Sequence, residues 1–205
     1  MNFKNNLEDY LKEIYNNIDA FGSANESMIS KRLKVSMPTV SEYIDKLRNR
    51  GLVKSIGRDI LLTDKGLKLA YPVIKRHRVA EVMALKIFEV PWEETDSEVM
   101  DLEHAINDKY VPYVIKNLGN PEKCPHGNPI DPNEKINDKS IFSVESGNYK
   151  ISRITYEDIS ILKKLVEINA LPGSEVRIEK NDTINIICHG YVSISPKEAM
   201  AIKVF

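Results

Sequence analysis

SMPTVSEYIDKLRNR, residues 36–50, sets how the first part of this chain is read. Ser36 suits an N-cap and Pro38 the first helical turn, where a side-chain acceptor is wanted and a backbone N–H is not. Val40, Ile44 and Leu47 recur at helical spacing, so the spacing predicts a helix over 37–50 with Gly51 as its stop. Downstream, Leu52–Ser55 and Asp59–Thr63 read as two short strands around Ile56-Gly57-Arg58, a small hairpin. Upstream, Lys34-Val35-Ser36-Met37 is a tight connection from a short helix, Glu26–Leu33, whose apolar side is Met28, Ile29 and Leu33. Before that, residues 5–19 place Leu7, Leu11, Ile14, Tyr15 and Ile18 on one helical face, and Gly22-Ser23-Ala24-Asn25 breaks the pattern. Helix, short helix, turn, helix and two-stranded wing is the order of a winged helix-turn-helix.

Charge is distributed to match. The net charge of −1 says nothing by itself, but residues 1–78 hold 15 Lys/Arg against 9 Asp/Glu, and the remainder holds 14 against 21. A basic head fused to an acidic remainder is the footprint of a phosphate-binding module with a different function behind it. In the second helix of the motif, Ser36, Pro38, Thr39, Ser41, Glu42 and Tyr43 occupy the N-terminal half, from which side chains reach base edges in a major groove. Arg48, Arg50, Lys54 and Arg58 follow on the helix end and wing, where backbone phosphates would lie.

Beyond the wing, Thr63-Asp64-Lys65-Gly66 opens a helix running to about Phe88, with Pro72 an expected kink. Pro91-Trp92 is a break. Residues 96–117 read as helical again, in one piece or in two around Pro112. The stretch 119–147 is rich in Pro and Gly. From Tyr149 onward, short alternating runs at Tyr149–Ile154, Glu175–Glu179, Thr183–Cys188, Tyr191–Ile194 and Ala201–Val204 suggest a small β-barrel, interrupted by a helix at about 157–169.

His77 and Glu81 stand four apart on one helix and share a face. Asp96, Met100, Glu103 and His104 form a stripe of the next predicted helix. Such side chains also make ordinary solvated surfaces, but if buried together they call for a cation to satisfy them. Imidazole and carboxylate ligands suit Fe²⁺, Mn²⁺ or Zn²⁺, and the Met100 thioether favours an ion softer than Mn²⁺. Cys124-Pro125-His126 lacks a second pair at zinc-finger spacing and reads as a structural turn, and Cys188 and His189 fall in an expected strand.

The composition, 29 % charged and 42 % hydrophobic, argues against wholesale disorder. No apolar run approaches the roughly 20 residues of a membrane span. MNFKNNLEDYL has no apolar signal core, and two distant cysteines make no disulfide framework. A cytoplasmic protein with no membrane association is expected.

The runs LEDYLKEIY, SMPTVSEYIDKLRNRGLV, KRHRVAEVM, DSEVMDLEHAI and CPHGNPIDP, in this order over residues 7–132, resemble the diphtheria toxin repressor family of iron- and manganese-dependent regulators. ALPGSEVRIE and the strands after it are similar to the SH3-like, FeoA-like domain of iron-type members. The resemblance implies a mainly α chain with small β parts. Its expected domains are a winged helix-turn-helix over 1–72, a helical metal-binding and dimerisation domain over 73–132, a linker over 133–148 and an SH3-like domain over 149–205.

It also implies a function and its residues. A homodimer would repress transcription at a palindromic double-stranded DNA operator to control metal homeostasis, and it would not be an enzyme. Asp9, Met100, Glu103 and His104 would match the activating metal site, and His77, Glu81 and Asp96 the ancillary one, with Glu157 added from the SH3-like domain. Asp9 is the manganese-type choice, Met100 follows neither type, and Asp96 stands where iron-type members have histidine. The expected ion is Fe²⁺, with Mn²⁺ as the alternative and Co²⁺, Ni²⁺ or Zn²⁺ as substitutes in vitro. Glu42 falls where an iron-type member has a base-reading glutamine. The competing readings are a winged-helix regulator of a non-metal signal, a metallohydrolase with a nucleic-acid docking head, and an adaptor whose SH3-like tail binds a Pro-rich segment.

Overall fold

A computed structural model describes residues 3–205, with side chains from Leu7 onward; residues 1–6, read above for a signal core, lie outside those side chains. The chain divides into two compact units, Met1–Lys75 and Arg76–Phe205.

The first unit holds α1 (Phe3–Phe21), α2 (Glu26–Leu33), α3 (Met37–Asn49), β1 (Val53–Ile56) and β2 (Asp59–Leu62). The N-caps explain where the helices begin. Asn25 accepts from Met28 N at the start of α2, and Ser36 accepts from Thr39 N at the start of α3. Lys34, in the left-handed conformation, ends α2 and gives the tight turn into α3. One core takes Leu11 and Ile14 of α1, Ile29 of α2, Val40, Ile44 and Leu47 of α3, and Leu52, Val53, Ile60 and Leu62 of the wing. β1 and β2 pair antiparallel, Val53 opposite Leu62 and Ile56 opposite Asp59, so Gly57-Arg58 is a two-residue turn. Gly57 takes φ +61°, the positive φ that two-residue hairpin turns require. Ala24 adds a third rung by exchanging backbone hydrogen bonds with Ile60.

The helix α4 (Asp64–Ile87) contains the division between the units and keeps Pro72 inside it. In the second unit follow α5 (Thr95–Glu98), α6 (Leu102–Ala105) and α7 (Val111–Asn117). The single helical stripe expected for Asp96, Met100, Glu103 and His104 is therefore corrected. Asp96 lies in α5, Met100 in the turn between α5 and α6, and Glu103 and His104 in α6. Ile106 turns to extended backbone, Asn107 caps the next turn by accepting from Lys109 N, and Pro112 sits in the first turn of α7, where its missing N–H costs nothing.

The sheet contains β3 (Lys139–Ser140), β4 (Gly147–Ile154), β5 (Glu175–Lys180), β6 (Ile184–Ile187), β7 (Tyr191–Ile194) and β8 (Ile202–Val204). It is antiparallel in the order β3-β8-β4-β5-β6-β7, with α8 (Ile159–Glu167) and α9 (Pro196–Ala201) completing an SH3-like module. Two elements were not anticipated. β3 forms inside the stretch expected as linker because Lys139 and Ser140 pair with Val204 and Lys203. α9 carries a capping box, Ser195 with Glu198, and Pro196 in its first turn.

A turn over residues 124–130 is fastened to β4. His126 O accepts from Ile154 N at 2.8 Å, and Asn128 Nδ2 donates to Ile154 O at 2.7 Å. Gly127 permits this approach: its φ is +86°, and a Cβ there would lie 2.4 Å from Ser152 O. Gly119 has nearly the same φ, +85°, but open space around it. Gly119→Ala should therefore cost only the left-handed strain, about 1–2 kcal/mol. Gly127→Ala adds overpacking of about 1–3 kcal/mol. Denaturant melts of the full chain in excess chelator should rank the two in that order, and equal losses would contradict the close approach.

Candidate functional site

Over residues 76–81, α4 is buried on every side. Arg76, His77 and Arg78 are nearly inaccessible, as are Val79, Ala80 and Glu81. Their polar atoms must then find partners inside the protein. Arg76 Nε donates to Glu103 O at 2.9 Å, and its guanidinium pairs with Asp108. Arg78 Nη1 donates to Pro129 O at 2.7 Å, joining α4 to the 124–130 turn.

Between these arginines the imidazoles and carboxylates converge. His77 Nδ1 lies 2.5 Å from Glu103 Oε2, and Nε2 lies 3.3 Å from Asp96 Oδ1, 3.6 Å from Glu81 Oε1 and 3.9 Å from Glu157 Oε2. Glu103 Oε1 in turn lies 3.4 Å from His104 Nε2. On the far side of Glu81, His126 Nδ1 is 2.9 Å from Glu81 Oε1 and 3.4 Å from Glu157 Oε1. Two sets of donor atoms each fall within 4.8 Å of one another. One is His77, Glu81, Asp96 and Glu157, and the other Glu81, Cys124, His126 and Glu157. They share Glu81 and Glu157.

The electrostatics of the second set are those of a filled proton site. Burial works to raise the Glu81 pKa, but the charge and hydrogen bond of His126, with those of His77, outweigh it and hold the carboxyl well below its usual range. Burial works to lower His126, but Glu157 and Glu81 lift it well above the ordinary imidazole value. Burial, then the nearby Glu81 charge, pushes the Cys124 thiol up to about 12. Glu81 Oε2 is buried with no hydrogen-bond partner. An orphaned carboxylate oxygen among imidazole nitrogens, a thiol and further carboxylates fits a divalent cation of the Fe²⁺, Zn²⁺ or Mn²⁺ kind.

Comparison with known proteins gives the same setting. The family described as iron dependent repressor, N-terminal DNA binding domain, matches residues 2–58. The iron dependent repressor metal binding and dimerisation domain matches 63–132, and the FeoA domain matches 144–204. The crystal structure of T. acidophilum IdeR is 32 % identical, superposes with a TM-score of 0.88 and is covered over 96 % of both chains. The chain belongs to the diphtheria toxin repressor family. The iron-dependent repressor IdeR of Mycobacterium leprae is 28 % identical over 96 % of this chain and 95 % of its own length. A manganese-dependent transcriptional repressor in complex with manganese is 26 % identical, with a TM-score of 0.81 and coverage of 97 % and 98 %. Proteins of this family are metal-dependent transcriptional repressors.

His77, Glu81, Asp96 and Glu157 are brought together, with Glu103 joined to them through His77 and His104 beside Glu103. Met100 is half-buried in the turn before α6, and Asp9 is half-buried on α1 in the first unit. Cys124-Pro125-His126 is the turn read from the sequence, and its thiol and imidazole face Glu81 and Glu157. The Cys-x-His spacing on a Pro-Gly turn was the available signal, but the other half of the set comes from α4 and from beyond β4. Asn128 Nδ2 donates to Glu157 Oε1 at 2.8 Å and so holds that carboxylate toward the set. Trp92, the sole tryptophan, packs edge-on to His126 with ring centroids 4.8 Å apart, and its Nε1 donates to Pro125 O.

In the first unit, Ser36, Pro38, Thr39, Glu42, Arg48, Arg50, Lys54 and Arg58 are exposed and Ser41 half-buried. Tyr43 is the exception. Its ring stacks on Tyr10 at 4.1 Å and is buried, so the expectation that it reaches DNA is corrected. Arg48 bridges α3 and the wing, with Asp45 Oδ1 at 2.7 Å and Ser55 Oγ at 3.1 Å.

To hold a cation, His126 in the second set would give up its proton, and Cys124 would do so as well if its thiolate ligates. Affinity for the cation should therefore rise with pH, roughly tenfold per unit for each proton released. Trp92 fluorescence during Zn²⁺ titrations between about pH 6 and about pH 8 reports it; affinity independent of pH would mean that neither His126 nor Cys124 gives up a proton.

Proposed function

We propose that this chain is a metal-activated repressor that binds a palindromic DNA operator as a homodimer, through α3 and the wing, when divalent cations occupy the buried carboxylate–imidazole sites. The supporting observation is the Glu81 carboxylate, inaccessible to water and with one oxygen lacking a partner. A buried ionised group in that state is expensive unless a cation completes it. When bound, the cation would supply positive charge beside the Glu81 carboxylate and the carboxylates gathered around it.

The ligand residues follow from two lines of support. Glu81, Cys124, His126 and Glu157 rest on their mutual distances, as do His77 and Asp96 around the same Glu81. Asp9, Met100, Glu103 and His104 are assigned to the activating site on the family resemblance. The Cys124 thiol and Met100 thioether argue for Fe²⁺ as the working ion, with Mn²⁺ less well matched and Co²⁺, Ni²⁺ and Zn²⁺ able to substitute in vitro. Control of metal homeostasis in the cytoplasm is part of the same proposal.

The domain reading is a winged helix-turn-helix to residue 72, a metal-binding and dimerisation part to 132, and an SH3-like part from 149. Base-edge and phosphate contacts are assigned to Ser36, Pro38, Thr39, Ser41 and Glu42, and to Arg48, Arg50, Lys54 and Arg58, respectively. The Arg48 assignment shares its guanidinium between Asp45, Ser55 and a phosphate. Affinity for DNA from the upstream region of the chain's own gene is measured in excess chelator and then with anaerobic Fe²⁺. The ion should tighten binding by about 5- to 150-fold, and a Glu103→Ala/His104→Ala variant should lose that response. Equal binding in chelator and metal would leave a DNA reader whose cluster is not its switch.

A further inference from the structure

The DNA face of α3 carries an ion pair that its neighbours leave available. Val40, Tyr43, Ile44 and Leu47 are buried, so Pro38, Thr39, Glu42, Asp45, Lys46 and Asn49 make up the outward face. At its start, the Ser36 and Thr39 hydroxyls lie 2.7 Å apart and Ser36 also caps Thr39 N. At its end, Asp45 is held by Arg48. Midway, Lys46 Nζ donates to Glu42 Oε1 at 2.7 Å, with 53 % and 70 % of the two side chains exposed. The hydrogen bond and charge of Lys46 lower the Glu42 pKa, so this carboxylate stays ionised at neutral pH.

A carboxylate on a DNA-facing helix is repelled by every phosphate and accepts hydrogen bonds without donating any. Its favourable partners in a major groove are exocyclic amino groups. Adenine N6 stands beside the N7 acceptor, which opposes a carboxylate. Cytosine N4 has no acceptor beside it on its own edge, and its guanine partner offers O6 and N7. An acceptor next to a cationic donor is the complement of that pair. We propose that Glu42 and Lys46 together read one C·G base pair in each operator half-site, Glu42 accepting from cytosine N4 and Lys46 donating to guanine O6 or N7. This rests on the proposed DNA-binding function of α3 and adds what it selects. A T·A pair at the same position turns the thymine O4 acceptor toward the carboxylate and is rejected.

The test is selection from random duplex DNA by the full-length chain and by Glu42→Gln, both in anaerobic Fe²⁺, followed by affinities for single-base variants of the selected site. The wild-type chain should enrich C·G at one position of each half-site, and replacing it with T·A should weaken binding by about 5- to 150-fold. Glu42→Gln should trade that preference for A·T at the same position, because an amide both donates to N7 and accepts from N6. The T·A measurement uses the unaltered protein and so stands even if the variant misfolds. Metal-dependent enrichment that ignores this base pair, or a variant with the wild-type preferences, overturns the assignment while leaving the repressor reading intact. Failure of the wild-type chain to enrich any sequence overturns both.

Discussion

Glu81 is ionised where water does not reach, and the second unit is arranged around that fact. Transfer of a carboxylate out of water costs on the order of several kcal/mol unless charge and hydrogen bonds compensate. His77 stands on one side and His126 on the other, yet the same pocket also holds Asp96, Glu103 and Glu157. Carboxylates outnumber the imidazoles of His77, His104 and His126 even when all three are protonated. Arg76 donates to the Glu103 carbonyl and pairs with Asp108, and Arg78 donates to the Pro129 carbonyl. The convergence of carboxylate, imidazole and thiol donor atoms around Glu81 is what makes a divalent cation the natural completion of this interior.

The same constraint explains why the SH3-like module is fastened so closely to the helices. Glu157 follows β4, and its distance from His77 and His126 depends on where β4 runs. The 124–130 turn fixes that course through its backbone bonds to Ile154 and through the close pass of Gly127 over Ser152. Asn128 then serves both ends of the arrangement, with Nδ2 shared between the Ile154 carbonyl and the Glu157 carboxylate. A single turn thus delivers two donor atoms of its own, Cys124 Sγ and a His126 nitrogen, and orients a third.

Local signals made the first unit readable and tertiary convergence hid part of the second. Ser36, Pro38 and Gly51 punctuate α3 by caps and turn geometry that act within a few residues, and the wing needs only Gly57 between two apolar runs. Tyr43 stands three residues after Val40 and four before Leu47, on the inward face, so its ring is buried rather than turned toward DNA. Residues 96–117 read as one helix, or as two around Pro112, because the polar spacing over 96–104 is helical. Extended backbone at Ile106 and the Asn107 cap break it, and neither leaves a strong mark in the sequence. His77 and Glu81 were legible as an i, i+4 pair. His126 was not, because its partners lie 45 residues before it on α4 and about 30 after it past β4, a distance that spacing does not encode.

Cys124 gives the proposed centre a way to discriminate between ions. With no cation present its thiol is pushed up to about 12, so a neutral thiol is the resting state. Ligation demands removal of that proton, and the cost is the same whichever ion enters. The return is not the same. Thiolate binds Zn²⁺ and Fe²⁺ strongly and contributes little to Mn²⁺ or Mg²⁺, which favour oxygen ligands. Burial beside Glu81 therefore raises a threshold that harder ions clear less readily, although Glu81, Glu157 and His126 alone would accept them. On this reading, selectivity comes from the penalty that the pocket places on deprotonating one ligand, and a more exposed thiol at the same position would discriminate less.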